Sequence, residues 1–359
     1  MKSYGYDSYR GRSRLRSALK VIIVLLLVVL AVLLAAFLFL QRYMVISADG
    51  IRFEPPFFQD EDAPPSSGGP SATPLPVVTT PSPSPSASPV PSQEYLHAVA
   101  LPREALYDGT AAELVEQSGG NAALFDMKAD DGSLGYVSDL KLAMDIRASA
   151  SSPDLNDAIR TLNEGELYTI ARVSCFRDNA LPYYQNGMAL RSNSGNYKDD
   201  ERIRWANPGS ESVRAYLAGV CVELAQLGFD EILLDNAGYP TRGDLSKIRV
   251  GEDNYDPDTL EQEVEACYQA IREALEEYDV KLSIVSTAQA VSEDSDPLSG
   301  QSIALLTRYA DRVWLSGDGE TDYAALLEAA GLEESGVNCV QMGPNQGDIQ
   351  GSWAMIPTT

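Results

Sequence analysis

The chain almost lacks histidine. His97 is the single one in 359 residues, and it stands at the start of an apolar run, where a strand would begin. Ser-His-Asp and Cys-His catalysis and a histidine-based zinc site are therefore not expected. Cysteine is scarce too: Cys175, Cys221, Cys267 and Cys339. No two of them make a CxxC pair, and each lies in an apolar stretch, so they read as small buried hydrophobes. No Walker loop is present and no GxGxxG follows a strand, which removes the usual grounds for nucleotide binding. Positive charge is in deficit, with 27 Lys and Arg against 52 Asp and Glu and a net charge of −25. Such a surface repels nucleic acid. No metal or organic cofactor is expected.

The positive charge that exists is unevenly placed. Lys2, Arg10, Arg12, Arg14, Arg16 and Lys20 face one acid, Asp7, within residues 1–20. Residues 21–40 are then uncharged and apolar throughout, and at about 1.5 Å per residue a helix of this length spans a bilayer core. A cleaved signal peptide has a shorter apolar region and a small-residue cleavage site, whereas Gln41-Arg42-Tyr43-Met44 follows here. The expectation is an uncleaved membrane anchor. Its basic flank keeps the N-terminus cytoplasmic and places the rest outside the cell membrane. Residues 41–62 form a short segment with an aromatic-proline cluster. Residues 63–93, rich in Pro, Ser and Thr, cannot bury a core and favour an extended polyproline stalk.

From about residue 95 to 359 the composition becomes globular. Apolar β-rich runs occur at 98–101, 122–127, 167–176, 231–237, 281–287, 312–317, 337–342 and 352–356. Helical spacing between them is clearest from Ser210, with Val213, Leu217, Val220, Leu224 and Leu227 on one face and Gly228 as a stop. A second helix follows Asp258-Thr259-Leu260-Glu261, which reads as a capping box. Shorter helices fit 153–164, 301–310 and 321–331. Alternating strands and helices mean a parallel sheet. Eight units in this length fit a (β/α)8 TIM barrel. An open doubly wound sheet is the competing arrangement.

Barrel sites sit at the C-terminal ends of the strands. Those ends hold Asp126 and Lys128, Arg172 leading to Asp178, Asp235, Ser286 and Thr287, Asp318 and Glu320, and Gln341. Period-two alternation puts Glu231, Leu233 and Asp235 on one face. If that face is inward, Asp235 sits at the rim with Arg172 as its partner, either for catalysis or only for stability. Asp126 and Lys128 read as an ion pair inside the barrel, and the Asp-Asp-Gly that follows as a turn with solvated acids. Trp205 and Tyr239 are candidates for stacking on a sugar or for packing. Without histidine or thiol chemistry, carboxylates remain, and they point to glycosides.

The stretches NAALFDMKADDGSLGYVSD, YTIARVSCFRD, IRWANP, GFDEILLD and the Gln of CVQMG resemble the glycoside-hydrolase-like domain family of bacterial membrane-anchored proteins, in the α-amylase-like TIM-barrel group. The resemblance covers about residue 95 to the end. It rests on Asn121, Asp126 and Lys128, on Ala171, Arg172, Phe176 and Asp178, and on Trp205, Asn207 and Pro208. It implies a polysaccharide substrate. It also implies Asp235 as nucleophile or base, with Asp126, Asp318 or Glu320 as acid. Lys128, Arg172, Asp178, Trp205, Tyr239 and Gln341 would bind the substrate. The chain departs from the family pattern at Leu233, Asn236 and Gly238, where the family has Gln, Tyr and Arg. KLSIVSTAQA also supplies no acid at the end of strand five. These departures imply a weakened or redirected site, so a barrel that binds wall carbohydrate without cleaving it, or an envelope scaffold, stands beside the hydrolase.

Overall fold

The computed structural model describes residues 44–47, 50–53, 95–251, 253–344 and 351–356. The expected anchor and stalk lie outside the described residues. Among the described residues no helix is long and apolar enough to cross a membrane. Residues 44–47 and 50–53 pair as an antiparallel ribbon.

All eight expected strands form. They are β1 (His97–Leu101), β2 (Ala122–Lys128), β3 (Tyr168–Ser174), β4 (Glu231–Asp235), β5 (Lys281–Val285), β6 (Arg312–Leu315), β7 (Cys339–Gly343) and β8 (Ser352–Met355). Each pairs in parallel with its sequence neighbour, and β8 pairs with β1 to close the ring. This closed parallel barrel rules out the open sheet.

The strand alternation explains how the barrel fills. Ala98, Ala122, Leu124, Ile170, Leu233, Trp314, Val340 and Ala354 form the lumen cluster. Three alanines leave the volume that the Trp314 ring occupies, so large and small side chains interdigitate in layers. The intervening residues, such as Ala123, Phe125, Ala171, Ile232 and Leu234, belong to the outer cluster beneath the helices.

Helix α1 spans Ala111–Gln117 and α2 Leu155–Asn163. Helix α3 spans Glu211–Gln226 and buries Val213, Leu217, Val220 and Leu224, as the periodicity requires. Each such side chain contributes about 1.5–3 kcal/mol over exposure. Gly228 follows at φ 88°, a left-handed conformation that suits a helix stop. Helix α3 packs on α4, Leu260–Ala274. The capping box expected at Asp258–Glu261 does not form. A turn at Asp256 delays the helix start to Leu260. Thr259 then donates its hydroxyl to Glu263 at 3.2 Å, while Glu261 accepts from Ser302 at 2.6 Å. Helices α5 (Ile303–Tyr309) and α6 (Tyr323–Ala329) lie within the expected ranges.

A carboxylate cluster at the C-terminal rim

Three carboxylates converge on one guanidinium at the top of the lumen. On β3, Tyr168, Ile170 and Arg172 follow one another inward, and Asp126 of β2 pairs in register with Arg172. Arg172 donates from Nε to Asp235 Oδ2 at 2.8 Å and from Nη1 to Asp126 Oδ1 at 2.8 Å. Its Nη2 donates to Asp130 Oδ1 at 2.9 Å and lies 2.6 Å from Asp235 Oδ2. Because Nη2 serves both, the Asp130 and Asp235 oxygens are no more than about 5.5 Å apart, which does not exceed the separation of a retaining carboxylate pair. Asp126, on the other arm of the planar guanidinium, lies within about 8 Å of Asp235. Among the described residues no group of three or more His, Cys, Asp or Glu side chains is arranged to hold a metal ion. Arg172 occupies the centre of this cluster.

The loops hold each group in place. Asn236 takes φ 47°, a left-handed conformation that Asn tolerates. There its N–H donates to Asp235 Oδ1 at 2.6 Å and its amide donates to Ser174 Oγ at 3.0 Å. Both Asp235 oxygens are thereby engaged. Asp130 sits in a turn closed by Gly132 at φ 88°, where a Cβ would meet Asp178 and Ala180. Its second oxygen accepts from Arg177, which also donates to Asp199 at 2.7 Å and to Glu201 at 2.7 Å. Burial alone would raise the Asp130 pKa, but Arg172 and Arg177 more than offset it and hold the carboxyl below its ordinary range. Burial likewise opposes charge on Arg172, and the surrounding carboxylates reverse that and raise its pKa.

The other expected site residues divide. A register shift between Asp126 and Lys128 marks a bulge in β2. The bulge turns Lys128 away from Asp126, so the expected Asp126–Lys128 pair is replaced. Lys128 is fully buried against Asp178 at 2.8 Å and donates to Ser174 O at 2.6 Å. Asp178 also caps the backbone N–H groups of Ala180 and Leu181. Lys128 and Asp178 thus brace the rim from behind, with no surface offered to a substrate. Trp205 and Tyr239 are buried. Trp205 donates to Asp199 at 3.2 Å and Tyr239 donates to Glu263. Both nonetheless line a cavity of about 120 Å³ beside Asp235, with Asn236, Gly238, Ser286, Thr287 and Gln301. A Cβ at Gly238 would stand 2.7 Å from Ser299 O, so this wall admits no side chain. Gln341 alternates with Val340 and Met342, which face the lumen cluster, and so points outward.

Asp318 and Glu320 are exposed. The N–H groups of Thr321 and Glu320 and the Thr321 hydroxyl all donate to Asp318. These bonds hold its carboxyl well below the usual range, which suits a loop anchor and not a proton donor. The sequence reading missed Asp130, Arg177, Asp199 and Glu201. The four cysteines are free and buried, and His97 stacks on Trp353 at 4.7 Å.

Comparison with known proteins places the domain. The sequence model of the family described as "Putative glycosyl hydrolase domain" matches residues 95–314. Comparison with curated proteins finds no match. Among solved structures, a hypothetical protein from Ruminiclostridium thermocellum is 23% identical with TM-score 0.44, covering 52% of this chain and 96% of that one. The PgaB (BpsB) glycoside hydrolase domain of Bordetella bronchiseptica is 16% identical with TM-score 0.47, covering 69% and 84%. The PelA glycoside hydrolase domain of Pseudomonas aeruginosa is 12% identical with TM-score 0.39, covering 69% and 83%.

Proposed function

The chain belongs to the "Putative glycosyl hydrolase domain" family, and from that premise we propose that it is a membrane-anchored, wall-facing glycoside hydrolase acting on polysaccharide. One observation carries the reading: Arg172 gathers carboxylates from β2, β4 and the loop after β2 at the barrel rim, so that two of them can flank one glycosidic bond. Asp235 is the nucleophile or base, oriented by Arg172 and the Asn236 N–H. Asp126 is the acid. It is the most open of the three, with a side chain 41% exposed against 25% for Asp235, and its carboxylate takes one bond from Arg172. The apolar segment 21–40 and its basic flank support the anchor and the outward orientation.

A second reading has its own observation. Both Asp235 oxygens are already bonded, and β5 leads into Ser286 and Thr287 with no acid there. A barrel of this kind binds the polymer without cleaving it.

One experiment separates the two. The full chain and Asp235→Asn are incubated with purified cell-wall polysaccharide, and released reducing ends and polymer pull-down are measured. Hydrolysis predicts release that falls by about 10²–10⁴-fold in the variant, the range for loss of an essential catalytic carboxylate. Pull-down without release from either protein establishes the binding barrel.

A further inference from the structure

Trp205 and Tyr239, the aromatic residues expected to meet a sugar, are buried, and the same face of the barrel exposes two others. The loop after β3 carries Tyr183 and Tyr184, which are 61% and 43% exposed. Their rings meet edge to face at 5.0 Å. Each is backed by a guanidinium: Arg204 lies 4.9 Å from the Tyr183 ring centre and Arg147 lies 5.9 Å from that of Tyr184. Arg204 is fixed by a 2.6 Å bond to Asn179, and Arg147 holds a left-handed backbone at φ 59°. These cation–π contacts bias both rings toward the orientations seen.

The two rings form one wall of an open cavity of about 280 Å³, with Asp131, Asn179, Ala180 and Arg204 as the rest. The cavity adjoins the acid cluster along the chain. Asp131 follows Asp130, and the Asn179 N–H donates to Asp130 O at 3.0 Å. A pyranose ring has an apolar C–H face and a rim of hydroxyls that both donate and accept. The tyrosine rings answer the face. A carboxylate, an amide and a guanidinium answer the rim.

We propose that Tyr183 and Tyr184 form a sugar-binding platform that holds a polysaccharide chain one or more units away from the Arg172 cluster. The proposal rests on the polysaccharide-directed reading above but not on cleavage. The platform binds the ring by stacking, and Asp131, Asn179 and Arg204 set its orientation. It accounts for two exposed tyrosines on the rim of a barrel that buries its other aromatic candidates there.

The test is affinity electrophoresis of the full chain through gels containing glycol chitin, hydroxyethyl cellulose or solubilised wall polysaccharide. Tyr183→Ala and Tyr184→Ala should each weaken retardation about tenfold, the worth of one stacked ring. Tyr183→Phe and Tyr184→Phe keep the ring and should be retarded as wild type is. Both tyrosines are exposed, and unchanged thermal melting in the alanine variants assigns the loss to binding. Retardation by none of the polymers, or retardation unchanged in both alanine variants, overturns the platform. Hydrolysis with KM unchanged in the alanine variants also overturns it while leaving the hydrolase intact. Tyrosine-dependent retardation without hydrolysis by wild type supports the platform and removes the hydrolase.

Discussion

Two ion clusters occupy opposite ends of one lumen, and they are built differently. At the N-terminal end Glu231 is fully buried. It accepts from Tyr168 at 2.9 Å, from Ser283 at 2.5 Å and from Arg312. One carboxylate meets one guanidinium and two hydroxyls, and the Glu231 side chain is fully buried while that of Arg312 is 7% exposed. At the C-terminal end one guanidinium meets three carboxylates, each partly open to solvent. The lower cluster is balanced and closed. The upper one is over-supplied with acid and open. The same residue types are therefore closed into a buried pair at one end and held partly open to solvent at the other.

Removing the balance below should do the most damage. Arg312→Met leaves Glu231 buried without its cation and should cost about 3–5 kcal/mol, read from urea unfolding midpoints. A cost below about 1 kcal/mol would mean that the lower cluster is hydrated like a surface pair, and the contrast would fail. Arg172→Met at the upper end should cost less, about 1–2 kcal/mol, because solvent screens the freed carboxylates. It should still abolish polysaccharide cleavage. A variant with the larger stability loss and intact cleavage would reverse the assignment of the two ends.

The smallest effect concerns acid. The Asp130 pKa is lower in the folded chain than its ordinary value, so its stabilisation is complete above about pH 4. That stabilisation is lost as pH falls through the folded value. Urea midpoints measured at pH 3 and pH 6 should differ less in Asp130→Asn than in wild type. Equal differences would place Asp130 outside the linked groups.

Most of the barrel was legible because its signals are periodic. Eight apolar runs marked eight strands, and the alternation in Glu231, Leu233 and Asp235 put the right side chains inward. Arg172 as the partner of Asp235 followed from adjacency. The errors lie where periodicity breaks. A bulge leaves no trace in the residue pattern, so Lys128 was read two residues along the same face when it had crossed to the other. Asp130 was read as a solvated turn acid because its partner Arg177 comes from a loop 47 residues later. Trp205 and Tyr239 carried the chemistry of a stacking residue, but whether a loop aromatic is covered depends on contacts that the local sequence does not encode. Tyr183 and Tyr184 offered a signal in their adjacency, two large rings that a four-residue helical turn cannot both bury.

The surplus of acid at the rim extends beyond Arg172. Asp126, Asp130, Asp235, Asp199 and Glu201 share Arg172 and Arg177. Glu201 also pairs with Arg242 at 2.6 Å and Asp199 is buried, yet an approaching molecule still meets an excess of acid there. Under the proposed function, such a rim would discriminate among sugar-like ligands by their charge. A sugar mimic whose ring oxygen is replaced by a protonated amine should bind more tightly than the neutral sugar, and anionic sugars more weakly. The preference should weaken as salt is added, because the charges that create it are open to water.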